Sequence, residues 1–598
     1  MKSPVFLLPL TCTVLLLASC SSDPARLAVP GQAMPAPPPG SAVNVAADAA
    51  AISPAPLVAG SARASDHRAT VPLPAPPAPP APPAPPAHYM PAIPRPESAD
   101  RFPGKEAGKA VLVAEQPVST FSADVDTASY AFVRRMLTAG RQPPPEAVRV
   151  EEMVNYFPYR YAAPRDPARP FSIGTEVMPS PWKAGNQLVH IAVRGYDMKA
   201  AARPRANVVL LVDVSGSMMP PDRLPLLQGA FRLFAEQLRD EDTVAIVTYA
   251  NGTQVALEPT AGKERGKIVD AIAALRGGGG TAGGAGLQRA YELAARNFDP
   301  KAVNRVILAT DGDFNLGMTN PRQLENFIVD QRKSGIYLSI LGVGAGNLND
   351  ALMQRLAQSG NGNAAYIDSL LEARKVLGEE LGSTMFPIAN DVKLQVEFNP
   401  AQVAAYRLIG YETRMLQRQD FKDDKVDAGD IGAGHTVTAL YEITPAGNAA
   451  GLVDPPRYEG NQPGNKRGNK GERRPGARSS GGELCFVKLR YKLPGEAASR
   501  QLEHPVAAAS ARRSFDAAPD DQRFAVAVAA FGQRLRGEPQ LADMAYADIA
   551  AVANAARGQD TEGYRAEFVR LVRMAESLDK LGPQAGQAGP VPSWPLRR

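Results

Sequence analysis

Between Asn207 and Val214 the chain reads NVVLLVDV, a run with no polar face. Such a run suits a strand covered on both sides, as in a parallel sheet between two layers of helices. The flanking sequence supplies those layers. A helix is predicted over Pro221 to Leu238, a strand over Thr243 to Tyr249, a hairpin arm near Gln254 to Leu257 and a helix over Glu264 to Leu275. After a glycine-rich loop come helix Gly286 to Arg296, strand Asn304 to Ala309, helix Arg322 to Lys333, strand Tyr337 to Val343, helix Asp350 to Gln358 and a last helix Ser369 to Met385. The expected fold class is α/β, with a doubly wound, mainly parallel, Rossmann-like sheet over residues 206–387. Ligands of such sheets bind on the loops at the carboxyl ends of the strands.

Three of those loops carry oxygen donors. Asp213-Val214-Ser215-Gly216-Ser217 closes the buried run, Thr281 lies in GGGGTAGGAG, and Thr310-Asp311-Gly312-Asp313 follows the strand ending at Ala309. Two carboxylates and three hydroxyls suit a hard divalent cation, Mg²⁺ first, with Mn²⁺ or Ca²⁺ as alternatives. Gly216 removes a side chain that would crowd the ion, and the glycines before Thr281 free its backbone. Asp313 and Asn315 are candidates for the rim.

The string DVSGSM, a later Gly-Thr loop and TDG, in that order, resemble the metal-ion-dependent adhesion site of von Willebrand factor type A (VWA) domains, over about Ala206 to Pro387. The resemblance implies that Ser215 and Ser217 bind the metal directly. Thr281 would bind directly or through water, and Asp213 and Asp311 through water. It also implies one open coordination position, filled by an Asp or Glu of a partner protein.

The N-terminus reads as an address. Met1-Lys2 is followed by an apolar run, Phe6 to Ala18, too short for a stable membrane span, which ends Leu17-Ala18-Ser19-Cys20. That ending resembles the lipobox of bacterial lipoproteins, which implies removal of residues 1–19 and acylation of Cys20. An ordinary signal peptide or an uncleaved anchor are the alternatives. Ser21, rather than Asp, favours the periplasmic side of the outer membrane by the habit of enteric lipoproteins, with the inner membrane or cell surface as alternatives. Many of the 56 prolines crowd the first hundred residues. Residues 20–105 therefore read as a disordered Pro/Ala-rich tether, polyproline II over Pro72 to Pro86. At about 3.1 Å per proline-rich residue its upper reach is on the order of 200 Å.

Residues 106–205 hold two expected helices, Asp124 to Thr138 and Arg149 to Phe157, and two strands, Phe171 to Met178 and Gln187 to Gly195. Residues 388–510 alternate as strands over Asp391 to Glu397, Ala404 to Tyr411, His435 to Ile443 and Leu484 to Tyr491. A β-sandwich-like region completed by the earlier strands would make the VWA unit an insertion. An insertion over 455–482 has seven basic and two acidic residues. It reads as a solvated hairpin or as a weak contact for anionic lipid or cell-wall polymer. Helices are expected over Asp521 to Leu535, Leu541 to Ala556 and Thr561 to Leu581, within 511–582, followed by a disordered tail, 583–598. Both flanks resemble the regions that accompany the VWA domain in one group of bacterial lipoproteins.

Other chemistries are poorly served. A net charge of +5 over 598 residues gives no reason to expect a nucleic-acid partner. Gly278 to Gly283 formally fits GxGxxG but follows a helix, no Gly-Lys-Ser/Thr accompanies it, and VSGSM lacks the second glycine of a nucleophile elbow. The five histidines show no zinc spacing, and His190 and His435 read as structural. Asp423, Asp424, Asp427 and Asp430 read as a solvated turn, and Cys485 as a buried apolar residue. The expected function is a membrane-tethered, metal-dependent protein-binding module or envelope scaffold, not an enzyme. The rivals are a passive envelope lipoprotein with an unused site and a metal-assisted hydrolase.

Overall fold

The computed structural model describes residues 100–582 except 103, 105, 124–125, 167–168, 200–201, 281–283, 313–319, 381–384, 449–481 and 542–543. Cys20, the expected leader, nearly all of the expected tether, Thr281, Asp313, Asn315, the basic insertion up to 481 and the expected tail lie outside the described residues.

The chain enters through strands β1 (Val111–Leu112) and β2 (Val118–Ser122), helices α1 (Ala128–Thr138) and α2 (Val150–Asn155), and a hairpin of β3 (Phe171–Pro179) and β4 (Gln187–Gly195). The α/β unit follows as β5 (Ala206–Asp213), α3 (Leu224–Glu236), β6 (Thr243–Tyr249), β7 (Thr253–Ala261), α4 (Arg265–Ala274), α5 (Gly284–Arg296), β8 (Val303–Thr310), α6 (Pro321–Lys333), β9 (Ile336–Val343), α7 (Asp350–Ser359), β10 (Ala364–Ile367) and α8 (Leu370–Arg374). Then come β11 (Pro387–Phe398), β12 (Val403–Ile409), β13 (Ile431–Gly432), β14 (Thr436–Pro445), β15 (Glu483–Lys492) and β16 (Ser499–Ala507). Helices α9 (Asp520–Leu535), α10 (Tyr546–Ala555) and α11 (Tyr564–Leu581) end the described chain.

The α/β unit forms one sheet in the order β10-β9-β8-β5-β6-β7, parallel except for β7. Its central strand is the apolar run. Val208, Leu210 and Val212 enter one core, and Val209 and Leu211 the core on the opposite face. Helix starts follow local chemistry. Pro225 stands in the first turn of α3, where a missing N–H costs nothing. Asn320 and Asn349 cap α6 and α7 by accepting the amides of Arg322 and Leu352.

The flanks form two antiparallel sheets, β1-β12-β14-β4-β3 and β13-β11-β15-β16, with β2 also on β11. Strands from before and after the α/β unit pair directly, β4 with β14 and β2 with β11. The unit is therefore inserted into the sandwich. Val189, Ile191 and Val193 of β4 share a core with Leu394 and Val396 of β11 and with Val487 and Leu489 of β15. The alternate residues Leu188 and Ala192 face a third layer, where Phe524 and Phe531 of α9 and Phe568 of α11 pack with Tyr130 and Tyr156.

Several expectations need correcting. The first helix begins at Ala128, while its expected start, Asp124, lies outside the described residues; Asp126 precedes the helix and its carboxylate accepts the Ala364 amide (2.9 Å) and the Arg414 guanidinium (2.8 Å). The last helix of the unit is not a continuous α-helix over Ser369 to Met385. After α8 it widens into a π turn, Lys375–Glu379, closed by Glu380 N–H to the Lys375 carbonyl at 2.8 Å. The Lys375 side chain is buried over the Tyr156 ring, 4.2 Å from its centroid, and pairs with Glu380. The acidic quartet is no simple solvated turn. Asp424 pairs with Arg490 and Asp427 with Arg332, and the carboxyl oxygens of Asp430 are sealed from solvent. His190 is buried on β4 within 3.1 Å of the Tyr161 hydroxyl, and burial brings its pKa down to about 4. Cys485 is buried on β15 with its thiol pushed up to about 12, which makes it a poor nucleophile. Among the described residues no helix is long and apolar enough to cross a membrane.

Candidate metal centre

Strands β5 and β8 lie side by side at the centre of the sheet. The chain leaves β5 toward β6 and leaves β8 toward β9, on the opposite side. The loops after these two strands therefore diverge and open a crevice at a topological switch point. Asp213 is the last residue of β5, and Asp311 follows the last residue of β8; both are buried.

The first loop folds back on its own acid. The Ser215 amide donates to Asp213 Oδ1 at 2.8 Å, and the Ser215 and Ser217 hydroxyl oxygens stand 3.0 Å apart. The second loop lies against it. Gly216 N–H donates to the Gly279 carbonyl (2.9 Å), and Gly278 N–H to the Val214 carbonyl (2.8 Å). Asn251 Oδ1 accepts the Gly280 amide at 2.5 Å. Gly279 adopts φ +86°, and a Cβ there would strike the Asn251 side chain, while the close approach of the two loops falls at Gly216, where a Cβ would lie 3.1 Å from the Gly279 carbonyl oxygen. From the third loop, the Thr310 hydroxyl lies 3.5 Å from Asp213 Oδ2 and accepts the Gly312 amide at 3.2 Å.

Two buried carboxylates in one crevice need positive charge. Burial pushes the Asp213 carboxyl above its ordinary range and the Asp311 charge adds to the push, while hydrogen bonds from Ser215 oppose it. The buried Tyr249 phenol faces Asp213 and Thr310 without a hydrogen bond of good geometry, and its pKa lies well above normal for the same reason. Arg223, at the N-cap of α3, brings one positive charge. It forms an ion pair with Asp311 and donates to the Ser217 carbonyl (2.8 Å) and the Ala345 carbonyl (2.9 Å).

The donor set fits a small hard cation. Neighbouring ligands of an octahedral ion with bonds of about 2.1 Å are about 3.0 Å apart, whereas Ca²⁺ at about 2.4 Å spreads them to about 3.4 Å. The serine hydroxyl spacing matches the smaller ion and is also that of a direct hydrogen bond. Of the five residues expected from sequence, Asp213, Ser215, Ser217 and Asp311 converge. Thr281 lies outside the described residues, next to Gly280. Sequence reasoning missed Arg223 and Asn251. Arg223 left a trace, since a cation at a helix N-terminus opposes the helix dipole and calls for a compensating anion. Met219, 63% exposed, stands beside the serine loop as an apolar patch.

Gly312 adopts φ +103°, and a Cβ there would lie 2.8 Å from the Asn349 amide and from Leu348 Cα. Gly312→Ala is expected to cost about 2–3 kcal/mol in urea unfolding. A variant as stable as the parent would mean that the loop relaxes freely.

A family model for the von Willebrand factor type A domain matches residues 208–313, and a von Willebrand factor model matches 96–190. A model described as "Uncharacterized protein YfbK, C-terminal" matches 383–578. The chain is 43% identical over 472 residues to "Uncharacterized protein YfbK" of Escherichia coli (strain K12), covering 78% of this chain and 79% of that protein. A UPF0353 protein of Mycolicibacterium vanbaalenii is 26% identical over 208 residues, 30% of this chain and 62% of its own. The solved structure "von Willebrand factor type A from Catenulispora acidiphila" is 16% identical, covers 67% of this chain and 89% of its own, and aligns with a TM-score of 0.37.

Proposed function

The chain belongs to the YfbK family of bacterial proteins containing a von Willebrand factor type A domain, and from that premise we propose that it is a tethered, metal-dependent protein-binding module. One observation carries the reading. Buried Asp213 and Asp311 converge with the paired hydroxyls of Ser215 and Ser217 on a crevice at the carboxyl ends of β5 and β8. Those residues, with Thr281 from the adjoining loop, would hold Mg²⁺. The bound ion would supply a Lewis-acidic position for an Asp or Glu carboxylate of a partner. The protein's own contribution is to orient the oxygens: the Ser215 amide fixes Asp213, and Gly216 and Gly279 hold two loops together. Acylation at Cys20 would anchor the chain, with residues 20–105 as spacer, and the partner would be an envelope protein. The periplasmic side of the outer membrane is the favoured location.

The test uses Mg²⁺ titration and crosslinking in intact cells. Replacing both Ser215 and Ser217 with Ala is expected to weaken Mg²⁺ binding about 100-fold or more, since lesser changes around metal ligands already cost 10- to 100-fold. Proteins captured in Mg²⁺ should be lost in chelator and in the double variant. Recovery of the same partners under all three conditions would favour the passive scaffold instead. Metal-dependent hydrolysis abolished by Asp213→Ala would favour the enzyme.

A further inference from the structure

We infer that Arg223 is a resident cation of the centre, sharing Asp311 with the divalent ion and thereby setting how tightly that ion is held. This rests on the metal reading above. The Arg223 side chain is 11% exposed and the Asp311 side chain is fully buried, so their ion pair is shielded from solvent screening. Its guanidinium is held at three points, the Asp311 carboxylate and the carbonyls of Ser217 and Ala345. A wall stands behind it. Gly344 has φ +73°, and a Cβ there would strike the Arg223 side chain. The Gly344 carbonyl is itself fixed by Arg135 of α1 (2.9 Å) and by the Tyr366 hydroxyl (2.6 Å). The arginine is therefore backed against rigid structure and has little room to withdraw when an ion arrives.

The charge count gives the consequence. Asp213 and Asp311 contribute two negative charges, and Arg223 neutralises one. Arg223 gives the buried Asp311 carboxylate a counter-charge of the protein's own. With a divalent ion present the centre carries a net positive charge. The ion is then held less tightly than two carboxylates alone would hold it, and an anionic partner is drawn more strongly. The dipole of α3, whose first residues lie beside the serine loop, adds in the same direction.

The test measures Mn²⁺ affinity of the full chain by calorimetry or electron paramagnetic resonance, with thermal melting in chelator alongside. Arg223→Gln keeps hydrogen bonding and removes the charge. It should bind Mn²⁺ on the order of tenfold more tightly and melt lower than the parent in chelator. Arg223→Lys keeps the charge and should retain the parent's affinity. Uptake of Mn²⁺ by Arg223→Gln but not by the parent overturns the inference, because the arginine would then exclude the ion rather than share Asp311 with it. Equal or weaker binding by Arg223→Gln overturns it, as does an equal change in Arg223→Lys, because geometry rather than charge would then govern. If parent and variants all fail to bind Mn²⁺, the metal reading itself is lost, and the inference with it.

Discussion

Arg134→Met is expected to lower the stability of the chain by about 3–5 kcal/mol at pH 7, measured by urea unfolding, because it leaves buried carboxylates without their principal cation. Arg134 lies on α1 and is 8% exposed, with ion pairs to Asp368, to Glu372 (2.8 Å) and to Glu567 (3.1 Å). It also donates to the Tyr156 hydroxyl at 3.0 Å, which in turn donates to Glu372 at 2.8 Å. The three acids come from the end of the α/β unit and from α11, so one side chain ties three parts of the fold. Methionine fills much of the volume and supplies no charge. Burial already pushes Glu372 upward, and Arg134 is the largest influence holding it down, with Lys375 next. In the variant Glu372 therefore has a folded-state pKa above its unfolded one. Such groups fold readily while protonated and lose that stability as pH rises through the raised pKa. The gap between parent and variant should shrink between pH 7 and pH 5. A gap below 1 kcal/mol at pH 7, or one of equal size at both pH values, would show the network to be dispensable.

Asp430→Asn is expected to stabilise the protein at alkaline pH by about 2–4 kcal/mol. Both Asp430 carboxyl oxygens are inaccessible and lack a protein hydrogen bond of good geometry, although Asn390 lies beside them. The residue lines a cavity of about 390 Å³ between the α/β unit and the sandwich, together with Arg305, Arg332 and Arg414. Burial pushes its pKa up to about 7; Asp427 and Asp391 add to the shift, and Arg305 only partly offsets it. The folded pKa exceeds the unfolded value, so the protonated side chain favours folding below about pH 4, and that advantage is lost as pH rises through 7. Asparagine mimics the protonated form at every pH. The stability difference should be largest near pH 8 and smaller by about 2–3 kcal/mol at pH 5. A difference that stays constant with pH would mean that Asp430 is not the titrating group.

The sequence announced some of this architecture and hid the rest, for physical reasons. The strand β5 and the three loops were legible because burial on both faces and oxygen-rich turns are local patterns. The pairing of β2 with β11 joins residues about 275 positions apart, as at Thr120 and Gln395, and no local pattern encodes it. Strand β16 (SRQLEHPVA) was not anticipated, since an edge strand exposed along most of its length needs no apolar alternation. Strand β10 was missed because four residues are too few to show a period. Arg223 was missed because its partner, Asp311, lies 88 residues away, on the loop after another strand. The acids near Asp430 look alike in sequence, and only packing separates the sealed one from its solvated neighbours.

The insertion of the α/β unit between paired strands bears on how the chain could be dismantled. Both ends of the unit run into the same sandwich, at β4 and at β11, whose partners β14 and β2 come from the opposite side of the insertion. One proteolytic nick in a connecting loop severs only one of two moorings, so shedding this head from its base would require a pair of cuts.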